Sequence, residues 1–140
     1  MTTRRSILGF AVGALALCGP FPATVQAAGA PAFAAKTSDT GGVRVVVKPK
    51  NVGTGPTWEF EVTMDTHTKP LNDDLTKTAV LVDGAGHQYK PTAWQGDPPG
   101  GHHRKGVLQF PAPTDVVKSF ELQMQGVGGV GQRIFQWAAN

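Results

Sequence analysis

Two adjacent histidines are the residues of this chain best suited to chemistry. His102 and His103 stand between a Pro-Pro-Gly-Gly segment and a pair of cations, and the chain has only four histidines. Neutral imidazole is a common protein ligand for zinc, copper and nickel. A metal ion is therefore the first ligand to consider. The other residues of the predicted binding loop are Trp94, Pro98, Pro99, Gly100, Gly101, Arg104 and Lys105.

A third histidine and two carboxylates complete the candidate metal site. His67 follows the end of a predicted strand, and the loops of a sandwich collect at its two ends, so it could share an end with His102 and His103. Asp65 and Asp97 would supply an oxygen ligand, or an acceptor that fixes an imidazole tautomer. The sequence thus predicts a zinc or copper site made by His67, His102, His103, Asp97 and Asp65.

The alternative is a structural histidine loop that binds no metal. Neighbouring residues of a strand point to opposite faces, so His102 and His103 converge only if the loop continues through both. Histidines near turns also often hydrogen-bond to backbone carbonyls without any ligand. In this alternative the loop serves protein recognition. In either case we expect Arg104 and Lys105 to be solvated and Trp94 to cover the core.

The remaining polar residues form no recognisable catalytic arrangement. Ser38 and Ser119, the serines beyond the N-terminal segment, do not occupy a nucleophile elbow. The glycine runs lead into predicted strands, whereas a phosphate-binding loop leads into a helix. We therefore expect a binding module without enzymatic activity.

Residues 1–27 predict an export signal. Arg4 and Arg5 open a short cationic segment, and the apolar run from 7 to 19 is too short to span a bilayer as a helix. Small residues at 25 and 27 predict cleavage after Ala27. The segment 3–8 resembles the twin-arginine export motif, with Sec export as the alternative. We expect an exported protein, periplasmic or secreted, with no transmembrane helix in the mature chain.

Removal of that signal changes what the composition implies. The chain has 13 Lys and Arg against 10 Asp and Glu, and the signal carries away Arg4, Arg5 and the only cysteine, Cys18. The mature chain is then nearly neutral, without the basic face that nucleic acid binding requires. Residues 28–42, rich in Ala, Gly and Thr, predict a flexible leader. We expect a monomer whose partner is an envelope protein or a metal ion.

Residues 43–140 predict one all-β domain. The segment 58–64 alternates strictly between apolar and polar residues, which is typical of a half-buried strand. Asp83 to Gly86 predicts a hairpin turn in which Asp-Gly favours positive φ. About seven short strands with turn signals between them, and no amphipathic helix, predict an antiparallel β-sandwich of immunoglobulin-like type, with a small β-barrel as the alternative. The predicted strands are 43–47, 58–64, 78–82, 87–90, 106–110, 120–125 and 133–137.

Four motifs follow one another along these strands. They are Trp58-x-Phe60-x-Val62, Leu81-Val82-Asp83-x-x-Gly86-x-x-Tyr89, Gly106-Val107-Leu108-x-Phe110-x-x-Pro113 and Phe120-x-Leu122. Their order resembles the telokin-like, immunoglobulin-type extracytoplasmic domains of bacterial lipoproteins and secreted proteins. The resemblance implies a sandwich fold and a binding or accessory role, and it supplies no catalytic residues. The segments 100–104 and 65–67 depart from that pattern and resemble a small group of exported bacterial proteins of uncharacterised function.

Overall fold

This computed structural model describes residues 33–139 of the chain. They contain nine strands and two single helical turns, joined by loops. In order they are β1 (Lys36–Thr40), β2 (Val43–Pro49), β3 (Thr57–Thr66), α1 (Leu75–Thr78), β4 (Ala79–Asp83), β5 (Gln88–Tyr89), β6 (Ala93–Gly96), β7 (His103–Pro111), β8 (Ser119–Gln125), a 3₁₀ turn (Val127–Gly129) and β9 (Gln132–Ala138).

The strands form two antiparallel sheets. The larger sheet has the order β1-β2-β3-β7-β6 and the smaller has the order β5-β4-β8-β9. The two longest strands, β3 and β7, pair along the middle of the larger sheet, with Asp65 opposite His103 at one end and Trp58 opposite Phe110 at the other. The predicted antiparallel β-sandwich is confirmed.

Two ends of the sandwich follow from this pairing. We call the end where β3 finishes and β7 begins the imidazole end; it comprises the loops 41–42, 67–74, 97–102 and 126–131. The opposite end comprises the loops 50–56, 84–87 and 112–118.

The core lies between the sheets, where alternation directs the apolar side of each strand. Along β3 every second residue is buried. Trp58 and Trp137, predicted from the sequence to be core residues, are both 6% exposed. The ring of Phe60 meets Phe110 edge to face at 5.7 Å, and Phe120 stacks with Trp137 at 5.3 Å. Each such aromatic pair contributes about 1 kcal/mol beyond the burial of its area.

The structure has two strands more than the sequence predicts, and both are edges of the larger sheet. Strand β1 has a polar sequence and is exposed along almost its whole length, so it shows no alternation. Strand β6 has only four residues. The short helix α1 was also not expected; Asp74 caps it by accepting a hydrogen bond from the backbone N–H of Thr76 at 3.0 Å. Edges and single turns lack the periodicity on which sequence prediction depends.

The prediction of a flexible leader through residue 42 is wrong for Lys36–Thr40. That segment is strand β1, paired with β2. Arg133, buried in β9, fixes it from the other sheet by donating to the carbonyl oxygen of Thr40 and the hydroxyl of Ser38, both at 2.8 Å. The ordered domain therefore begins before the predicted boundary at 43.

The turn between β4 and β5 has a different geometry from the predicted one. The hairpin itself is present, but positive φ belongs to Gly86 (90°) and not to Gly84. The reason is the side chain of Asp83, which accepts hydrogen bonds from the backbone N–H groups of Ala85 and His87, both at 2.9 Å. Because these bonds fold the chain around the carboxylate, the residue with a left-handed conformation is Gly86, two positions after Gly84.

Within residues 33–139, no helix combines the length and the apolar character needed to cross a membrane. The predicted export signal, its cleavage site and the start of the predicted leader lie outside the described residues.

Candidate functional site

Arg104 holds in place the loop 97–102, which carries His102 and leads into His103 and which we call the histidine loop. Its side chain is buried, with the residue only 2% exposed, so the prediction that it is solvated is wrong. Its Nη1 donates to the carbonyl oxygens of Leu71 (3.0 Å) and Asp73 (2.8 Å), which belong to a different loop. Burial lowers the pKa of the guanidinium, and the carboxylates of Asp73 and Asp97 oppose that shift. The guanidinium therefore ties two loops of the imidazole end together.

Trp94 supports the same loop from β6. Its indole Nε1 donates to the carbonyl oxygen of Asp97 at 2.8 Å, and the guanidinium of Arg104 lies 5.5 Å from its ring centroid. Such cation–π contacts are favourable when they are shielded from water. A Cβ added at Gly106 would come within 2.7 Å of the Trp94 ring, so only glycine leaves room for it. Trp94 is partly buried against the core, and its polar edge is already used by the loop.

Backbone hydrogen bonds complete the loop. The N–H of Gly100 donates to the carbonyl oxygen of Leu71 at 2.8 Å, and the N–H of Leu71 donates back to Gly101 at 3.3 Å. Both glycines have positive φ, which other residues rarely adopt. The carboxylate of Asp97 accepts from the backbone N–H of Lys105 at 2.8 Å. Asp97 is therefore engaged in shaping the loop, while Pro98 and Pro99 are exposed.

The two histidines differ in their surroundings because β7 begins between them. His103 is the first residue of the strand and lies opposite Asp65, with its Nδ1 2.5 Å from the carboxylate Oδ1. The side chains are 72% and 41% exposed. His102 precedes the strand, and its carbonyl oxygen accepts from the backbone N–H of Thr66 at 2.9 Å. Lys105 is exposed, as predicted.

A groove of about 570 Å³ gathers part of the predicted metal site. Two of the three histidines, His67 and His103, line it together with Asp65, whereas His102 and Asp97 do not. The remaining lining residues are Asp39, Gly42, Arg44, Thr66 and Thr68.

Charges alternate across the strands on the outer face beside this groove. Asp39 of β1 lies opposite Arg44 of β2, which lies opposite Asp65 of β3, which lies opposite His103 of β7. Opposite charges on neighbouring strands stabilise a sheet and like charges destabilise it. This row places one cation between two carboxylates and leaves His103 at its end.

The five predicted metal ligands are not gathered into one cluster. In the range 33–139, no group of three or more His, Cys, Asp and Glu residues is arranged to hold a metal ion. Asp65, His67 and His103 share the groove, Asp97 bonds to the loop backbone, and His102 lies outside the groove.

Sequence reasoning missed the roles of Arg104 and Arg133. The alternation of buried and exposed residues along the strands indicates that both arginines face the core. Arg104 has the same parity as the buried Leu108 and Phe110, and Arg133 has the same parity as Trp137, so strict alternation places both arginines inward. An arginine on the inward side of a strand is tolerated where backbone carbonyls accept hydrogen bonds from its guanidinium.

A second cluster, at the opposite end, centres on the buried Asp83. Its Oδ2 lies 2.9 Å from Nδ1 of His87 and accepts from the hydroxyl of Tyr89 at 3.0 Å, in addition to the two backbone bonds of the turn. Burial by itself raises the pKa of Asp83, but hydrogen bonds from His87, Tyr89 and Ala85 outweigh it and lower the pKa to about 2. Burial and the neighbouring Asp83 raise the pKa of Tyr89. His87 is exposed, as predicted, and also pairs with this carboxylate.

No family model and no curated protein matches the chain. Among solved structures, the chain is similar to a DUF4426 family protein from Pseudomonas aeruginosa PAO1, with a TM-score of 0.46 and 14% sequence identity over 75% of this chain and 92% of that chain. The telokin-like resemblance stays a prediction.

Proposed function

We propose that this chain is an exported, non-catalytic binding module that contacts a protein of the cell envelope through its imidazole end. One observation carries the proposal: the buried guanidinium of Arg104 holds a loop whose outer side chains are exposed. Removing a charged group from water is unfavourable by several kcal/mol unless hydrogen bonds compensate for it. A loop that served only as a connector would not need this arrangement.

The groups that the loop presents suit recognition. Pro98, Pro99 and His102 are exposed on a backbone fixed by hydrogen bonds to Leu71 and by the Trp94 indole. A preorganised surface loses less conformational entropy when it binds a partner. The predicted export signal and the resemblance to extracytoplasmic modules favour a partner in the envelope.

The groove does not favour catalysis over binding. The Asp65–His103 pair resembles the acid–base half of a hydrolytic triad, but among the residues that line the groove hydroxyls come only from Thr66 and Thr68. The Thr66 hydroxyl donates to the carbonyl oxygen of Gly42 at 2.9 Å and accepts from the N–H of Lys69 at 3.1 Å, so it is engaged in the turn. A nucleophile needs a hydroxyl free to face its base.

Site-specific photo-crosslinking tests the proposal in the cells that produce the protein. A photoreactive residue replaces His102 in one variant and His87 in a second; both positions are exposed, at opposite ends of the sandwich. We expect a discrete adduct with one envelope protein from position 102 and none from position 87. The adduct should weaken when Arg104→Met is added, because the loop then loses its anchor.

Two outcomes would contradict the proposal. The first is a complete absence of adducts from position 102 when the variant is exported and folded. The second is the same adducts from position 87, which would indicate contact without preference for the imidazole end.

A further inference from the structure

We propose that His67 and His103 bind one divalent transition-metal ion in the groove of the imidazole end, and that Asp65 positions the His103 ring. The two imidazoles occupy part of the coordination sphere, and an exogenous ligand completes it. This inference goes beyond the proposed function, because the ion is a ligand in its own right and needs no protein partner.

Asp65 prepares His103 for a metal. Its Oδ1 lies 2.5 Å from Nδ1 of His103, so the carboxylate accepts and Nδ1 carries the proton. The lone pair is then on Nε2, at the far side of a ring that is largely exposed. Metal-binding histidines commonly donate their other ring nitrogen to a carboxylate in this way, which fixes the tautomer and raises the basicity of the ligand.

His67 lies at the same end of the strand pair as His103. Asp65 and His103 are directly opposite in the β3–β7 pairing, and His67 comes immediately after Thr66, the last residue of β3. Imidazole nitrogen is a common ligand of zinc and copper, so two imidazoles that face one groove can share an ion. Both histidines also line the groove.

The charges beside the groove favour a cation. Asp39 and Asp65 bring two carboxylates, and Arg44 between them brings one positive charge. Among the Asp, Glu, Lys and Arg side chains of the lining, carboxylates therefore outnumber cations by two to one. A divalent ion bound there would gain from this field, and an anion would not.

The site is open because the described residues offer no third ligand. Across residues 33–139 no cluster of three or more His, Cys, Asp and Glu side chains could hold the ion. Sites with fewer protein ligands keep positions for water or another molecule. We therefore expect a ternary complex with an added imidazole.

Copper(II) titration of the untagged protein, expressed from its full-length gene and treated with a chelator, tests the inference. Copper(II) binds nitrogen sites more tightly than the other divalent metals of its row and is visible in electron paramagnetic resonance spectra. We expect one copper per chain with two protein imidazole nitrogens, and a third nitrogen after free imidazole is added. His67→Ala and His103→Ala should each abolish stoichiometric binding.

Two further sets of variants separate this site from a general affinity of histidines for copper. Asp65→Asn should weaken binding by about 10–100-fold, because the ring loses its orientation. His102→Ala and His87→Ala should leave the dissociation constant unchanged, since His102 lies outside the groove and His87 lies at the other end. His103→Gln, which keeps a donor for Asp65 but has no imidazole, checks that the loss does not arise from unfolding.

The inference is overturned if no stoichiometric copper binds, if binding persists in both His67→Ala and His103→Ala, or if His102→Ala weakens it as much as His103→Ala. A spectrum with only one protein nitrogen would also contradict it. None of these results would affect the crosslinking test of the protein partner, so the two proposals can fail separately.

Discussion

Each end of the sandwich carries an aspartate–histidine pair, and the two pairs differ in what else the carboxylate does. At the opposite end, the side chain of Asp83 is 5% exposed and accepts hydrogen bonds from Ala85, His87 and Tyr89. At the imidazole end, the side chain of Asp65 is 41% exposed, and within residues 33–139 its only side-chain hydrogen bond joins it to His103.

The difference separates a structural pair from one that is available for binding. A buried carboxylate with all its acceptor sites filled closes a turn and stabilises it. A half-exposed carboxylate with a single imidazole partner contributes little to stability, because exposed ion pairs are screened by water. Its arrangement is more useful for orienting the imidazole toward a ligand than for holding the fold.

The ties that hold the two ends also differ in range. Within residues 33–139, the side chain of Asp83 hydrogen-bonds only to groups of its own hairpin. Arg104 instead binds the carbonyl oxygens of Leu71 and Asp73, more than thirty positions away in sequence. A long-range tie fixes side chains from separate segments relative to one another, as a composite site requires. Breaking one tie or the other therefore tests the comparison.

The largest effect is expected for Arg104→Met. The change removes the charged donor of the carbonyl oxygens of Leu71 and Asp73, although Leu71 keeps its hydrogen bond from the Gly100 N–H. Hydrogen bonds to charged groups contribute about 1.5–3 kcal/mol each. We expect the free energy of unfolding to fall by about 3 kcal/mol, measured by urea denaturation. The amide signals of residues 97–102 in NMR spectra should shift or broaden.

Arg133→Met is the matched control for that prediction. Arg133 is equally buried, but it ties β1 and Val127 to β9, and within residues 33–139 its hydrogen bonds do not reach the loop 97–102. It should lower stability to a similar extent and leave the amide signals of residues 97–102 in place. If Arg104→Met is as stable as the natural chain, or if both variants disturb the loop alike, Arg104 does not anchor the loop.

A smaller loss is expected for Gly106→Ala. The new Cβ would lie 2.7 Å from the Trp94 ring and 2.7 Å from the carbonyl oxygen of Gln95, so the ring and the backbone of β6 must shift. Overpacking of this kind costs about 1–3 kcal/mol. Urea denaturation and the tryptophan fluorescence of the chain would report it. Gly131→Ala, where nothing lies within 4 Å of the added Cβ, should change neither.

The sequence allows the fold to be predicted where the pattern is local. The site could not be predicted in the same way, because its contacts join distant segments. Strict alternation in β3 and β8 indicates half-buried strands because burial repeats every second residue. The Asp65–His103 contact joins residues 38 apart in sequence, and it depends on the register between β3 and β7. Register is set by the packing of a whole sheet, so no local spacing reveals which carboxylate an imidazole will face.

Asp83→Asn tests the hairpin tie through its dependence on pH. The pKa of Asp83 is about 2 in the folded protein and 3.8 in its ordinary state. A lowered folded-state pKa contributes stability that is complete above 3.8 and is lost as the pH falls toward about 2. The natural chain should therefore exceed Asp83→Asn in urea midpoint at pH 5, and the gap should narrow between pH 4 and pH 2. A gap that does not change with pH would show that the charge of Asp83 is not responsible.

The smallest effects come from truncating the two imidazoles, and they compare the ends most directly. His87→Ala removes one donor from the buried Asp83, although the backbone N–H of residue 87 remains. His103→Ala removes the one side-chain partner that the exposed carboxylate of Asp65 has within residues 33–139. We expect a slight fall in the urea midpoint for His87→Ala and no measurable change for His103→Ala at pH 7. If instead the urea midpoint falls for His103→Ala and not for His87→Ala, the Asp65–His103 pair stabilises the fold. The comparison would then give no reason to expect ligand binding at His103 rather than at His87.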